Sequence, residues 1–421
     1  MGLEQVFEAA WTLRKLRGGP LGHLLDRFCD WLLSKGFSRW CIRTHLANVS
    51  HLNEYLGGAA DRPRANVASR DVEGFFKAYP AGCRNRGPLE RHLRRVRNSI
   101  NRFTEHLRLQ GRFEEGVEPP IHQPLLEAYL AWMRDYQHAA AGTLELRRHG
   151  VGRFLAYLGP QATAEGLSEL SPEQVETFFI GYAKGMGRAA RRSMQSALRT
   201  FLRFCVHAGY MARRLEHAVP TLRSYRFSQV PRGLSEPQAQ KVLCAVDRST
   251  KVGRRDYAIL QLLHCYGVRG GQVRALRLAD VRWAQDQILF RAMKNGKDTL
   301  LPLTAEVGRS LLDYLKNARP PCCFPEIFLT CRAPYHPLPA SNALSAIVER
   351  RIRAARIDVP SHGAHAFRHG FATRMVAEGH SIKAVADVLG HRHLATTFLY
   401  TKVDFNALRQ VALEWPQEVS L

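Results

Sequence analysis

The sequence predicts a mainly α chain in which helical modules precede a mixed α+β domain carrying a small antiparallel sheet. Three observations lead there. The N-terminal half repeats itself at an offset of roughly one hundred residues, as a duplicated all-helical unit would. "LLDRFCDWL" from Leu24 matches "LLEAYLAWM" from Leu125, "DVEGFF" from Asp71 matches "QVETFF" from Gln174, and "NRFTEHLRLQG" from Asn101 matches "RTFLRFCVHAG" from Arg199. Beyond residue 233, apolar helical periods alternate with one pair of β-rich runs. Between the two regimes, residues 212–233 hold two prolines, scattered arginines and no apolar period. The expected boundaries are a first helical module at 1–115, a second at 116–215, a basic linker at 216–233 and the mixed domain at 234–421.

The last helix of each module can be tested by angle, at about 100° per residue. In the second, Arg188, Arg192, Arg199 and Arg203 share one arc, opposite Met194, Leu198, Phe201 and Cys205. In the first, Arg91, Arg95 and Arg102 cluster opposite Val96, Ile100, Phe103 and Leu107. A charged face is ordinarily a solvated face. A stripe of one sign repels itself unless phosphates neutralise it, so these seven arginines are candidate nucleic-acid contacts, and the linker is suited to tracking a phosphate backbone.

In the mixed domain, Ser235 is placed to cap the helix that opens "LSEPQAQKVLCAV". "QILFRAMKNGKDTLLPL" reads as a hairpin, because Asn295-Gly296 accepts positive φ at both central positions of a tight turn. Lys294 and Lys297 bracket that turn. Apolar helices follow in "EVGRSLLDYL", "NALSAIVERRIRAARI", "HAFRHGFATRMVAEG" and "SIKAVADVLG", then a final one holding Tyr400.

Of the 421 residues 45% are apolar, enough for each module to bury a core. Lys and Arg number 61 against 37 Asp and Glu, a formal charge of +24 that favours nucleic acid as partner over a membrane surface. No run approaches the ~18 apolar residues of a membrane span, and Glu4 and Glu8 stand where a signal peptide would be basic and then apolar. A cytoplasmic, nucleoid-associated protein with reduced thiols is expected. The nine cysteines lack C-x-x-C spacing, and Cys322, Cys323, Cys331 and His336 read as structural rather than as a zinc site. No cofactor and no metal are expected.

The chemistry-bearing groups are Arg269 in "YGVRGGQVRAL", Lys294, His365 and Arg368 in "HAFRH", His391 in "LGH", and Tyr400. His365 and Arg368 stand at i and i+3, on one helical face. Two planar guanidinium forks suit a pentavalent phosphorane, and a tyrosine supplies a nucleophile. The segment "HAFRHGFATRMVAEGHSIKAVADVLGHRHLATTFLYTKV" resembles the signature of the tyrosine recombinase (phage integrase) family: a His-x-x-Arg-His helix, a Leu-Gly-His turn, then a tyrosine nine residues after that histidine. The resemblance covers about 234 to 405. The preceding helical modules look like the family's SAM-like core-binding domain, here in two copies.

The resemblance implies a site-specific recombinase of integrase or transposase type. It would act on double-stranded DNA as a homo-tetramer on two synapsed sites, with possible helper recombinases. Tyr400 would attack a scissile phosphate to form a 3′-phosphotyrosyl bond, without metal or ATP. His365 would act as general base or orient the phosphate, Lys294 would be the general acid, Arg269 and Arg368 would stabilise transition-state charge, and His391 would donate to a phosphate oxygen. Lys297 would add a DNA contact; His369 and His393 are expected at the periphery or the surface. Where the family commonly carries an acid, this chain has Gln272, which can orient a neighbour but brings no charge. "LGH" is expected to end a helix at Gly390, the threonines after it to cap the helix presenting Tyr400, and the tail from Asp404 to Leu421 to pack on a neighbouring protomer. Two other readings are a type IB topoisomerase and a catalytically silent DNA-binding subunit assisting an active recombinase.

Overall fold

The computed structural model describes residues 2–57, 63–83, 88–116, 120–222, 233–292, 298–339, 343–359, 363–391 and 393–403. It divides into two compact units: one comprises 2–118 with 320–324 and 329–337, the other 119–319, 325–328 and the remainder from 338.

The first unit opens with α1 (Ala10–Arg17), α2 (Gly22–Ser34) and α3 (Arg39–Gly57) and continues with α4 (Ser69–Gly82) and α5 (Leu89–Leu109). Two short strands, β1 (Val67–Ala68) and β2 (Phe113–Glu114), pair in parallel beside them. On α5, Val96, Ile100, Phe103 and Leu107 are fully buried in an apolar core with Phe28, Leu46 and Phe75. Arg91 and Arg95 are exposed on its other side, and Arg102 is paired with Glu105 at 3.1 Å.

In the second unit, α6 (Gln123–Asp135), α7 (Ala141–Leu158), α8 (Pro172–Ala183) and α9 (Arg188–His207) enclose a separate core around Tyr129, Phe154 and Phe201. The three matched stretches begin on α2, α4 and α5 in the first case and on α6, α8 and α9 in the second. Arg188, Arg192 and Arg203 are exposed. Arg199 is spent differently: its guanidinium donates to the Val219 carbonyl at 2.9 Å and to Thr221 Oγ1 at 2.8 Å, while Gln195 Nε2 holds the Pro220 carbonyl. The chain leaving α9 is thus clamped back onto that helix. Residues 223–232, most of the expected linker, lie outside the described residues.

The C-terminal part of this unit contains α10 (Glu236–Cys244), α11 (Lys251–Tyr266), α12 (Gly270–Ala275), the antiparallel sheet β3 (Val281–Arg282), β4 (Gln287–Phe290) and β5 (Thr299–Pro302), then α13 (Ala305–Asn317), α14 (Ala343–Ala354), α15 (Ala364–Ala377) and α16 (Ile382–Val388). Ser235 caps α10 by accepting from Gln238 N–H, as its position predicts. Helix α11 is the central element, with Ile259, Leu260, Leu262 and Leu263 fully buried. Asp256, also fully buried, is held by Arg255, Arg350 and Arg351 at 2.8, 3.1 and 2.6 Å, which ties α11 to α14. Among the described residues, no helix is long and apolar enough to cross a membrane.

The expected hairpin is present with a different register. A two-residue turn at 295–296 would pair Phe290 with Leu301; the observed partner of Phe290 is Thr299. A shift of two keeps the same side chains on each face, so the alternation of the sequence cannot choose between these registers. Backbone contacts at the base of β5 choose: Tyr266 donates its hydroxyl to the Pro302 carbonyl at 2.8 Å, and Leu303 N–H donates to Asp286 O at 2.7 Å. Residues 293–297, with Lys294, Asn295, Gly296 and Lys297, lie outside the described residues, as does the tail 404–421.

Candidate active site

Helix α11 ends in a left-handed turn, with Gly267 at φ 57°, a conformation that costs any other residue a Cβ clash. That turn buries Val268 and sends Arg269 to the start of α12, where Gln272 Oε1 accepts from the Arg269 backbone N–H at 3.1 Å. Gln272 is 7% exposed, and its other end donates to the Arg291 carbonyl at 3.3 Å. A carboxylate at this position would accept the first bond and could not make the second. The side chain of Arg291 in turn grips buried Asp280 through two nitrogens at 3.0 and 2.7 Å. The first leg of the hairpin is therefore anchored at both its main chain and its side chain.

The second wall comes from α16. It closes as a Schellman turn: Gly390 sits at φ 62°, its N–H donates to Asp387 O, and His391 N–H donates to Ala386 O. Closing the turn leaves the Leu389 and Gly390 carbonyls pointing outward, at the negative end of the helix dipole. Both arginines use them. Arg269 Nη1 lies 3.4 and 3.3 Å from the Leu389 and Gly390 oxygens, and Arg368 Nη2 lies 2.8 Å from the Leu389 oxygen. Arg368 also donates to Gly267 O at 2.9 Å. Carbonyl dipoles thus bring two guanidinium groups together. Among the described residues, no carboxylate forms an ion pair with either. Arg368 is 4% exposed, and burial followed by the charge of Arg269 pushes its pKa down to about 10. The site is an under-neutralised cationic cluster of the kind an anion would neutralise.

His391 is spoken for in this state. Arg368 Nη2 is 2.8 Å from His391 Nε2, and a guanidinium only donates, so Nε2 accepts and the ring proton sits on Nδ1. Nδ1 donates to Thr397 Oγ1 at 2.7 Å. Thr397, fully buried and directly before the helix that holds Tyr400, fixes this tautomer with its hydroxyl, while its carbonyl accepts from the Tyr400 N–H at 2.9 Å. Burial, then Arg368 and Arg269, pushes the His391 pKa down to about 4, so the ring is neutral at pH 7. With Nε2 accepting, His391 donates to a phosphate only after it changes tautomer or takes up a proton.

Tyr400 lies in a 3-10 helix, Phe398–Val403, and its ring is 2% exposed in an apolar cluster with Ala372, Val376, Val385 and Leu389. Burial pushes its pKa up, while Arg368 and Arg269 pull it down. Its hydrogen-bond partner is His369 Nδ1, at 2.8 Å. His365 is exposed one turn earlier on α15, its ring centroid 6.1 Å from that of His369. Burial and then neighbouring charge lower the pKa of both histidines. The sequence placed His369 at the periphery; the structure sets it on the tyrosine oxygen. The only sequence signal was its spacing, next to Arg368 and one turn after His365.

The structure therefore brings Arg269, Arg368, His391 and Tyr400 together around the ends of α11 and α16, with His365 on the exposed side and His393 exposed at the turn before Tyr400. Lys294 and Lys297 fall outside the described residues. Thr299, close to where the described chain resumes, lies near Gly390: a Cβ there would be 3.7 Å from Thr299 Oγ1 and 3.9 Å from Arg269 Nη1. Among the described residues, no group of three His, Cys, Asp or Glu side chains is arranged to hold a metal ion.

Comparison with known proteins agrees with this architecture. The model of the phage integrase family matches residues 232–407. Over almost its whole length the chain is similar to the putative integrase/recombinase y4rF of Sinorhizobium fredii, 30% identical across 98% of this chain and 96% of that protein. It is 25% identical to tyrosine recombinase XerC of Anoxybacillus flavithermus, across 68% of this chain and 96% of that one. Among solved structures, the XerH site-specific recombinase bound to palindromic difH substrate has a TM-score of 0.51 at 17% identity, covering 72% of this chain and 99% of that one. The chain belongs to the phage integrase family, the tyrosine recombinases.

Proposed function

We propose that this recombinase cleaves and rejoins duplex DNA at specific sites through a 3′-phosphotyrosyl intermediate. The observation that carries the reading is geometric: the buried Tyr400 hydroxyl is hydrogen-bonded to His369, the neighbour of Arg368 on α15, and Arg368 shares the Leu389 carbonyl with Arg269, two guanidinium groups with no carboxylate partner among the described residues. A phosphodiester brings the missing negative charge. Arg269 and Arg368 hold its non-bridging oxygens and stabilise the extra charge of the phosphorane. The Tyr400 oxygen bonds to phosphorus, the bond to the 5′-oxygen breaks, and that oxygen leaves with a proton for which Lys294 is the donor. One phosphate ester replaces another, so the reverse attack by a 5′-hydroxyl rejoins strands without ATP.

His365, exposed beside the arginines, orients the phosphate. His391 exchanges its acceptor bond with Arg368 for a donor bond to a phosphate oxygen when the anion binds. DNA is the substrate class because the chain carries +24 of formal charge and because exposed Arg91, Arg95, Arg188, Arg192 and Arg203 line the outer faces of α5 and α9, which we read as equivalent helices of a duplicated core-binding module. Assembly as a tetramer on two synapsed sites accounts for paired strand exchange. The test is a nicked suicide duplex made from the DNA flanking the gene. The expected result is an SDS-resistant protein–DNA adduct with wild type and none with Tyr400→Phe. Tight binding without an adduct would instead indicate a silent DNA-binding subunit.

A further inference from the structure

The family resemblance offers His365 either as general base or as the group that orients the phosphate, and the hydrogen bond to the nucleophile comes from another residue. His369 Nδ1 is 2.8 Å from Tyr400 Oη, and the two rings are held with their centroids 5.7 Å apart. Both are fixed from behind. His369 stands on α15 between buried Arg368 and the wall of Ala372, and Tyr400 is buried in the cluster that Ala372 and Val376 complete. We propose that His369 is the catalytic residue that accepts the phenolic proton as Tyr400 attacks phosphorus, a role that rests on the phosphotyrosyl reading above.

The step balances. The Oη–H bond breaks, its proton moves to Nδ1 of a ring carrying its own proton on Nε2, and the Oη–P bond forms while the 5′-oxygen departs. In the free protein the transfer is uphill, because burial raises the phenol and lowers the imidazole. It becomes favourable along the reaction coordinate, since an aryl oxygen bonding to phosphorus loses its basicity and the arginines oppose negative charge on it throughout. The charged and titratable groups facing His369 are His365 and Arg368 on its own helix, His391 from the turn after α16 and Tyr400 itself; Arg269 acts on the last three of these and on His365. All but Tyr400 are cationic or neutral, so His369 is held neutral and ready to accept near pH 7.

The test is single-turnover cleavage of the same nicked duplex by full-length His369→Asn and His369→Gln, with binding measured separately. Asparagine keeps a hydrogen-bonding atom near the position of Nδ1 and removes its basicity, so a positioning role would survive it and a proton-accepting role would not. The expected result is cleavage about 10²-fold or more slower with each variant, binding within about twofold of wild type, and loss of the acidic limb that wild type shows as His369 becomes protonated. A duplex with sulfur in place of the scissile 5′-oxygen, a leaving group that needs no proton, is expected to rescue Lys294→Ala and not His369→Asn. Wild-type rate and pH profile in His369→Asn would overturn the assignment, as would full rescue of that variant by the sulfur substrate. Absence of any adduct with wild type would overturn the phosphotyrosyl reading itself.

Discussion

Replacing Thr397 with valine tests how the site is organised before DNA arrives. The hydroxyl is fully buried and accepts the His391 Nδ1 proton at 2.7 Å, while the opposite nitrogen of the same ring accepts from Arg368 at 2.8 Å. Valine keeps the shape and removes the acceptor. Changing tautomer does not rescue the ring, since a proton on Nε2 would then face the Arg368 N–H, so neither tautomer is fully satisfied in the variant. A buried donor left unmade costs about 1–3 kcal/mol, and the added methyl returns less than about 1 kcal/mol, so a net loss of about 1–2 kcal/mol is expected. Urea unfolding of the whole protein measures that loss. Nitrogen NMR of His391 measures its cause, with a clean Nδ1–H tautomer in wild type and a mixed population in the variant. Thr397→Ser keeps the acceptor and should keep the tautomer. A valine variant with unchanged stability and an unchanged His391 tautomer would refute the claim that this threonine sets the ring.

Other consequences follow from the same structure. Asp256→Asn leaves three guanidinium groups around a neutral amide and should lower stability by about 3–5 kcal/mol, read as a fall in the urea midpoint. Gly267→Ala forces a positive φ on a residue with a Cβ that would also clash with the Phe371 ring, so a loss of about 1–3 kcal/mol and slower cleavage are expected, because Gly267 O is an Arg368 partner. Burial pushes His45, on α3 and 3.0 Å from Ser99 Oγ, and His391 down to about 4 in the folded chain against 6.5 when unfolded, so the unfolded chain takes up protons first. Stability is then lost as pH falls from about 6.5 towards 4, by at most about 1.4 kcal/mol per pH unit for each ring, as urea titrations at about pH 7 and 4.5 would show. Changing Arg188, Arg192 and Arg203 to Gln should flatten the salt dependence of DNA binding by about 0.9 in log–log slope for each phosphate left without its arginine, whereas Arg199→Gln should mainly loosen the 219–221 segment.

The residues that meet at the site differ in how far their sequence reveals them. Arg269, Arg368, His391 and Tyr400 are legible through the resemblance to the family signature, because each stands at a chain feature that the signature marks: a glycine after a helix, a His-x-x-Arg pair, a Leu-Gly-His stop and a tyrosine nine residues on. His369 and Thr397 are not, since their roles depend on how residues 391–403 fold back across α15, and no local period encodes that path. The apolar arcs of α5 and α9 follow from 100° geometry, whereas the diversion of Arg199 to the chain that follows its helix does not. The hairpin itself is readable from its β-rich flanks, but its register is decided by Tyr266, more than twenty residues upstream. Gln272 illustrates the same limit. From sequence it is an acid replaced by an amide, and only the structure supplies the carbonyl of Arg291 that makes the amide useful.

The most direct test of the central claim is the chemistry of the trapped adduct. Protease digestion followed by mass spectrometry should find a nucleotide esterified to the peptide containing Tyr400, and the DNA released on the other side of the cut should carry a 5′-hydroxyl that a kinase labels without prior phosphatase treatment. Linkage through any other residue, or a 5′-phosphate on the released strand, would contradict the account.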